Sequence, residues 1–182
     1  MSEGGYKIRD QEGVYYLTFT VVNWVDVFTR KRYKDILIDS LIFCQKHKGL
    51  KIYAFVIMSN HMHCVLSCKE NKLSDVIRDF KTHTSKTIIK SITDEVGESR
   101  KEWMLAQFKD KGLNNKRNKN YQFWKQDNHP IELYSNYFIE QKVDYIHKNP
   151  LESGIVEKPE EYIYSSAKNY CGEEGLLKVE FL

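Results

Sequence analysis

Two apolar runs separated by Ser59-Asn60 constrain this chain more than any other feature. The first is Ile52-Tyr53-Ala54-Phe55-Val56-Ile57-Met58. The second opens with His61-Met62-His63 and continues as Cys64-Val65-Leu66. Short apolar runs bounded by polar residues are strand material, and a two-residue break between them predicts a tight hairpin. Residues two apart on a strand point to one face, so His61 and His63 share a face with Cα atoms about 6.5–7 Å apart. Two imidazoles placed in this way can reach for one divalent ion. They can equally be two polar residues on the outer face of a half-buried strand, and the pair alone does not decide between these readings.

The segments around the hairpin set the fold class. Val14 to Val22 reads as a strand, with Tyr16, Thr18 and Thr20 alternating against Tyr15, Leu17, Phe19 and Val21. Tyr33 to Lys48 reads as a helix through Ile36, Leu37, Leu41, Ile42 and Cys44, stopped by Gly49. Lys51 to Met58 and His61 to Cys68 are the hairpin strands. Ser74 is placed as the N-cap of a helix running to Ile92, with Val76, Ile77, Phe80, Thr84 and Ile88 on one face and Arg78, Lys81, Lys86 and Lys90 on the other. Tyr121 to Lys125 is the candidate fourth strand. Asn136 to Lys148 is a further helix, turning Phe138, Ile139, Val143 and Ile146 inward and ended by Asn149-Pro150. The order strand, helix, strand, strand, helix, strand predicts a ferredoxin-like α+β fold, an antiparallel sheet with helices on one face, plus a C-terminal helix.

A length of 182 residues with 41% hydrophobic composition suits one domain with a real core. We divide it into a core of residues 14–92 and 121–150, a polar basic insert at 93–120 and a C-terminal appendage at 151–182. No run of 18 apolar residues offers a membrane span, and the first residues lack the apolar segment of a signal peptide, so a cytoplasmic protein is expected. Cys44, Cys64, Cys68 and Cys171 form no Cys-x-x-Cys pair and read as reduced thiols rather than metal ligands. The net charge of +3 permits nucleic-acid binding without demanding it. Its distribution is more informative, because from Lys109 to Asn120 five positive residues, Lys109, Lys111, Lys116, Arg117 and Lys119, stand against one Asp110.

On the late helix Tyr145 and Asn149 are four apart and share a face. In a chain with 12 tyrosines the residue types alone favour ordinary packing. Three segments taken together resemble the REP-associated tyrosine transposases, a branch of the single-tyrosine HUH transposases. They are Met58-Ser59-Asn60-His61-Met62-His63-Cys64-Val65, Phe123-Trp124-Lys125-Gln126-Asp127-Asn128-His129-Pro130-Ile131-Glu132-Leu133, and Val143-Asp144-Tyr145-Ile146-His147-Lys148-Asn149-Pro150-Leu151-Glu152-Ser153-Gly154-Ile155-Val156. That family usually carries Val where Leu151 stands, and the 93–120 insert lies outside its shared pattern.

The resemblance implies a ferredoxin-like domain that cuts and rejoins single-stranded DNA near hairpins through a 5′-phosphotyrosine intermediate. It implies Tyr145 as nucleophile, with His61, His63 and Asn149 holding a divalent metal, Mg²⁺ or Mn²⁺. It makes hairpin DNA the partner of a monomer or homodimer. Beside such a site Arg78, Lys81, Lys116, Arg117 and Lys119 become candidate phosphate contacts, and Trp103 and Trp124 candidate platforms for unpaired bases. Two other readings use the same residues. One is a domesticated DNA-binding module without catalysis. The other is a metallohydrolase in which the histidines activate water, though no carboxylate stands at ligand spacing near them.

Overall fold

The computed structural model describes residues 7–115 and 120–181. The hairpin forms as expected, with β2 (Leu50–Ile57) and β3 (His61–Cys68) pairing antiparallel. β1 (Tyr15–Thr20) lies on the other side of β3, with Thr18 opposite His63 and Thr20 opposite His61. Directly opposed residues share a face. Tyr16, Thr18 and Thr20 therefore stand on the histidine face, while Tyr15, Leu17 and Phe19 stand on the other.

β4 (Ile131–Glu132) pairs antiparallel with the outer edge of β1 and completes the order β2-β3-β1-β4 of a ferredoxin-like sheet. The sequence placed this strand at Tyr121–Lys125. There only Trp124 bridges to Val21, and the neighbouring side chains Phe123 and Trp124 are both buried, against Phe28 and each other. Two successive inward side chains break the alternation a strand requires. The ladder resumes only at Ile131, after Pro130.

α1 (Lys31–Lys48) and α2 (Leu73–Asp94) pack side by side on the face away from the histidines, where Phe80 meets Phe19 at 5.7 Å between ring centroids. α1 ends at Gly49, whose φ of 67° lets its N–H return to the Cys44 carbonyl. α2 begins one residue before Ser74, which is not its N-cap. The fully buried Leu73 draws in the first turn, and the Ser74 N–H is taken by Gln11 Oε1 at 3.0 Å.

Within the described part of the insert, the short apolar patch around Met104 and Phe108 lies on a helix. α3 (Lys101–Leu113) buries Met104 and Phe108, and Phe108 packs on Phe123 at 5.2 Å. Gly112 permits this packing, because a Cβ there would sit 2.7 Å from the Asn120 carbonyl oxygen and from Tyr121 Cα. Alanine would add about 1 kcal/mol of helix propensity, but overpacking against backbone costs about 1–3 kcal/mol. We expect Gly112→Ala to lower stability by about 1 kcal/mol, read as a fall in the urea midpoint at unchanged slope.

α4 (Asn136–Glu152) starts at Ser135, whose Oγ accepts the Phe138 N–H, and runs across the histidine face of the sheet. It passes through Pro150, where the sequence placed its end. The proline ring is buried, its carbonyl accepts the Ile155 N–H at 2.9 Å, and Gly154 at φ 68° closes the last turn. Val143 and Ile146 face inward as expected, whereas Phe138 remains partly exposed.

The C-terminal residues, including α5 (Ala167–Tyr170), cover the outer edge of β2. Ile57 donates to the Tyr164 carbonyl, Ser166 to that of Phe55 and Glu180 to that of Ile52. A bare strand edge is thereby removed. Ser166 Oγ also meets His147 Nε2 of α4 at 2.8 Å, and burial pulls the His147 pKa down to about 4. His147, two residues past Tyr145, is a neutral strut between α4 and the covered edge.

Candidate active site

β3 delivers both imidazoles to one face. Their ring centroids are 4.7 Å apart, with His61 half-buried and His63 only 7% exposed. His61 Nδ1 lies 2.7 Å from Asn60 Oδ1. A carbonyl oxygen can only accept, so this nitrogen carries the proton and Nε2 keeps its lone pair. His63 Nδ1 lies 2.8 Å from Tyr16 Oη and 2.9 Å from Thr18 Oγ1. In the Nδ1–H tautomer the ring donates to one of these hydroxyl oxygens and keeps the Nε2 lone pair; with Nδ1 bare, the hydroxyls donate to it instead.

Burial lowers the pKa of both rings, to about 3 for His63, where the nearby His61 and Lys142 add to the effect. Both are thus neutral imidazoles near pH 7, the protonation state a metal ion requires. The donor set fits a divalent ion in this respect. Among the described residues no group of three His, Cys, Asp or Glu side chains is available to hold one, and an ion held by the two imidazoles would draw its other ligands from oxygen donors of other kinds.

Tyr145 reaches the same place from α4. Its ring centroid is 5.4 Å from that of His63 and 6.3 Å from that of Tyr16, and the residue is 42% exposed. Asn149, one turn further along α4, is half-buried, and among the described residues nothing hydrogen-bonds its amide. Lys142, on the turn before, holds its Nζ 4.8 Å from the Tyr16 ring centroid and 5.9 Å from that of Tyr145. All of these groups belong to the same chain.

The supporting residues Tyr16, Thr18, Asn60 and Lys142 escaped the sequence reading. For Tyr16 and Thr18 a signal existed, since their alternation on β1 is visible. Only the register with β3, however, brings them onto His63.

The candidate DNA contacts divide. Arg78 is exposed and paired with Asp75 at 2.7 Å and Asp79 at 3.1 Å. The sequence set Lys81 on a solvated face, but its ammonium turns inward and donates to the Lys125 carbonyl at 2.7 Å and Asn128 Oδ1 at 2.6 Å, with burial bringing its pKa down to about 8. Arg78, Lys81, Trp124 and Lys125 border one polar groove of about 380 Å³. Lys116, Arg117 and Lys119 lie outside the described residues. Trp124 is a core residue that donates Nε1–H to Thr84, and not a base platform, whereas Trp103 is exposed.

Residues 11–108 match the family model of IS200-like transposases, a span that contains β1, both histidines, α2 and most of α3. The chain belongs to the IS200-like transposase family. The match runs into the insert and stops short of Tyr145. Among solved structures this transposase is similar to a REP-associated tyrosine transposase bound to a REP hairpin. That similarity has a TM-score of 0.67 at 17% identity and covers 99% of this chain and 92% of that one. At this identity the likeness shows a shared fold, and it extends through α4. The transposase is also similar to a Deinococcus radiodurans R1 protein described as a transposase, with a TM-score of 0.45 and 19% identity over 80% of this chain and 95% of that one. No curated protein matches the chain. Among the described residues no helix is long and apolar enough to cross a membrane.

Proposed function

We propose that this transposase cuts and rejoins single-stranded DNA near hairpins, with Tyr145 as the nucleophile and His61, His63 and Asn149 as ligands of a divalent ion, Mg²⁺ or Mn²⁺. The observation that carries this reading is the placement of an accessible tyrosine ring 5.4 Å from the buried imidazole of a neutral histidine pair. When bound, the ion would neutralise charge on the scissile phosphate and help to orient it.

The residues supply the remainder. Tyr145 Oη attacks phosphorus, a bond forms between them and the bond from phosphorus to the 3′ oxygen breaks. The proton lost by the phenol is balanced by the one the departing 3′ oxygen takes up. The products are a 5′-phosphotyrosine and a free 3′-OH. Attack of a 3′-OH on the phosphotyrosine reverses the exchange, so the energy of the ester is conserved and no nucleotide cofactor is needed. Lys142 keeps a positive charge beside the Tyr145 ring, which favours the developing phenolate.

We assign the hairpin stem to the groove bordered by Arg78, Lys81 and Lys125, together with Lys116, Arg117 and Lys119 of the insert. Binding through such contacts weakens steeply as salt rises. The test is incubation with hairpin oligonucleotides and Mn²⁺, labelled in turn at either end. A complex that survives SDS and retains only the label 3′ of the cut is expected. Hairpin binding unaffected by EDTA, with no cut strand, would instead indicate a binding module. Cut DNA without any covalent complex would indicate a hydrolase.

A further inference from the structure

Trp24 is used neither by the core nor by the chemistry described above. It sits in the turn after β1, where Asn23 and Trp24 both take left-handed backbone angles, with φ of 53° and 56°. A bulky residue in that region is an outlier of the kind that gathers at functional sites. The residue is 57% exposed, although Trp124 shows that this fold has room to bury an indole.

Trp24 is also tied to the metal-binding face. Asn60 Nδ2 donates to the Trp24 carbonyl at 3.2 Å, and Asn60 Oδ1 accepts from His61 Nδ1 at 2.7 Å. One amide thus fixes the turn and the imidazole together, and the two rings stand edge to face at 6.2 Å.

A cation completes the arrangement. Lys125 Nζ lies 3.9 Å from the centre of the indole. Its backbone is pinned on both sides, the N–H by Thr20 at 2.8 Å and the carbonyl by Lys81 at 2.7 Å. Among the described residues no carboxylate pairs with it. Lys125 also borders the groove of Arg78 and Lys81, so indole and ammonium stand between that groove and His61.

We propose that Trp24 and Lys125 form a step for one unpaired nucleotide beside the scissile phosphate, the base stacking on the indole and the ammonium meeting the adjoining phosphate. The position beside the scissile phosphate rests on the function proposed above. Affinity for an unpaired nucleotide does not. Every base has a π face, so the step grips any base rather than reading sequence. It also discriminates against duplex, whose bases are already stacked on one another.

The test is made in the Tyr145→Phe background without metal, so that strand transfer plays no part. The probes are a labelled single strand of about 20 thymidines and an abasic strand with the same number of phosphates. Trp24→Ala is expected to weaken binding of the thymidine strand about tenfold and to change binding of the abasic strand less than twofold. Trp24→Phe should recover most of the loss, and Lys125→Gln should weaken both strands. Equal losses on the two strands, or no loss on either, would overturn the proposal. Circular dichroism of each variant separates these results from misfolding. Failure to form a covalent complex in the wild-type protein would count against the function proposed above and leave this measurement standing.

Discussion

Tyr145→Phe is expected to abolish the covalent protein–DNA complex while leaving hairpin affinity within about twofold of wild type. The substitution removes one oxygen from a ring that is 42% exposed, so folding stability should move by less than about 1 kcal/mol. The chemical effect is far larger, because removing a nucleophile costs on the order of 10⁴-fold or more in rate. A second phenol stands close by and sharpens the test. Tyr16 is buried, its hydroxyl is engaged by His63 Nδ1 at 2.8 Å, and burial pushes its pKa upward. It is an orienting group and a poor nucleophile. A covalent complex formed by Tyr145→Phe in undiminished yield would refute the assignment, and peptide mapping would then show whether Tyr16 carries the DNA.

The sheet was legible because its pattern is local. The hairpin around Ser59-Asn60 and the alternation at Tyr16, Thr18 and Thr20 place residues on faces from neighbours alone. Helix content was legible for the same reason, and helix ends were less so. Ser74 resembles a cap, but the burial of Leu73 decides where α2 begins. Pro150 resembles a stop, but a buried ring and the turn at Gly154 carry α4 past it. The fourth strand failed where tertiary packing prevails over local preference, since Phe123 and Trp124 both turn into the core.

At the candidate site, the sequence named the residues that stand at motif spacing. It could not name those that act across the fold. Lys142 meets Tyr16 only because α4 crosses the sheet, and Asn60 matters only because its amide spans His61 and Trp24. Lys81 shows the opposite error. A lysine on the polar face of a helix reads as solvated, and only the approach of the 125–128 segment makes it internal.

His63→Ala carries the second large effect, on metal binding rather than on attack. His63 is the deeper imidazole, held neutral by burial and oriented by Tyr16 and Thr18. Losing a partner that merely orients a metal-bound histidine costs about 10–100-fold in affinity. Losing one of the two imidazoles proposed as ligands should exceed that, so Mn²⁺ affinity read by calorimetry is expected to fall at least about 100-fold. Formation of the covalent complex should stop at metal concentrations that restore EDTA-treated wild type.

Stability should respond much less to the same substitution. Once the imidazole is gone, the hydroxyls of Tyr16 and Thr18, already 3.5 Å apart, can pair with each other. The loss is then that of a modest cavity, about 1–2 kcal/mol. This contrast distinguishes a ligand from a histidine that only fills the sheet face. A purely structural His63 would cost stability and leave the Mn²⁺ isotherm unchanged, and that result would remove the metal from the proposed reaction.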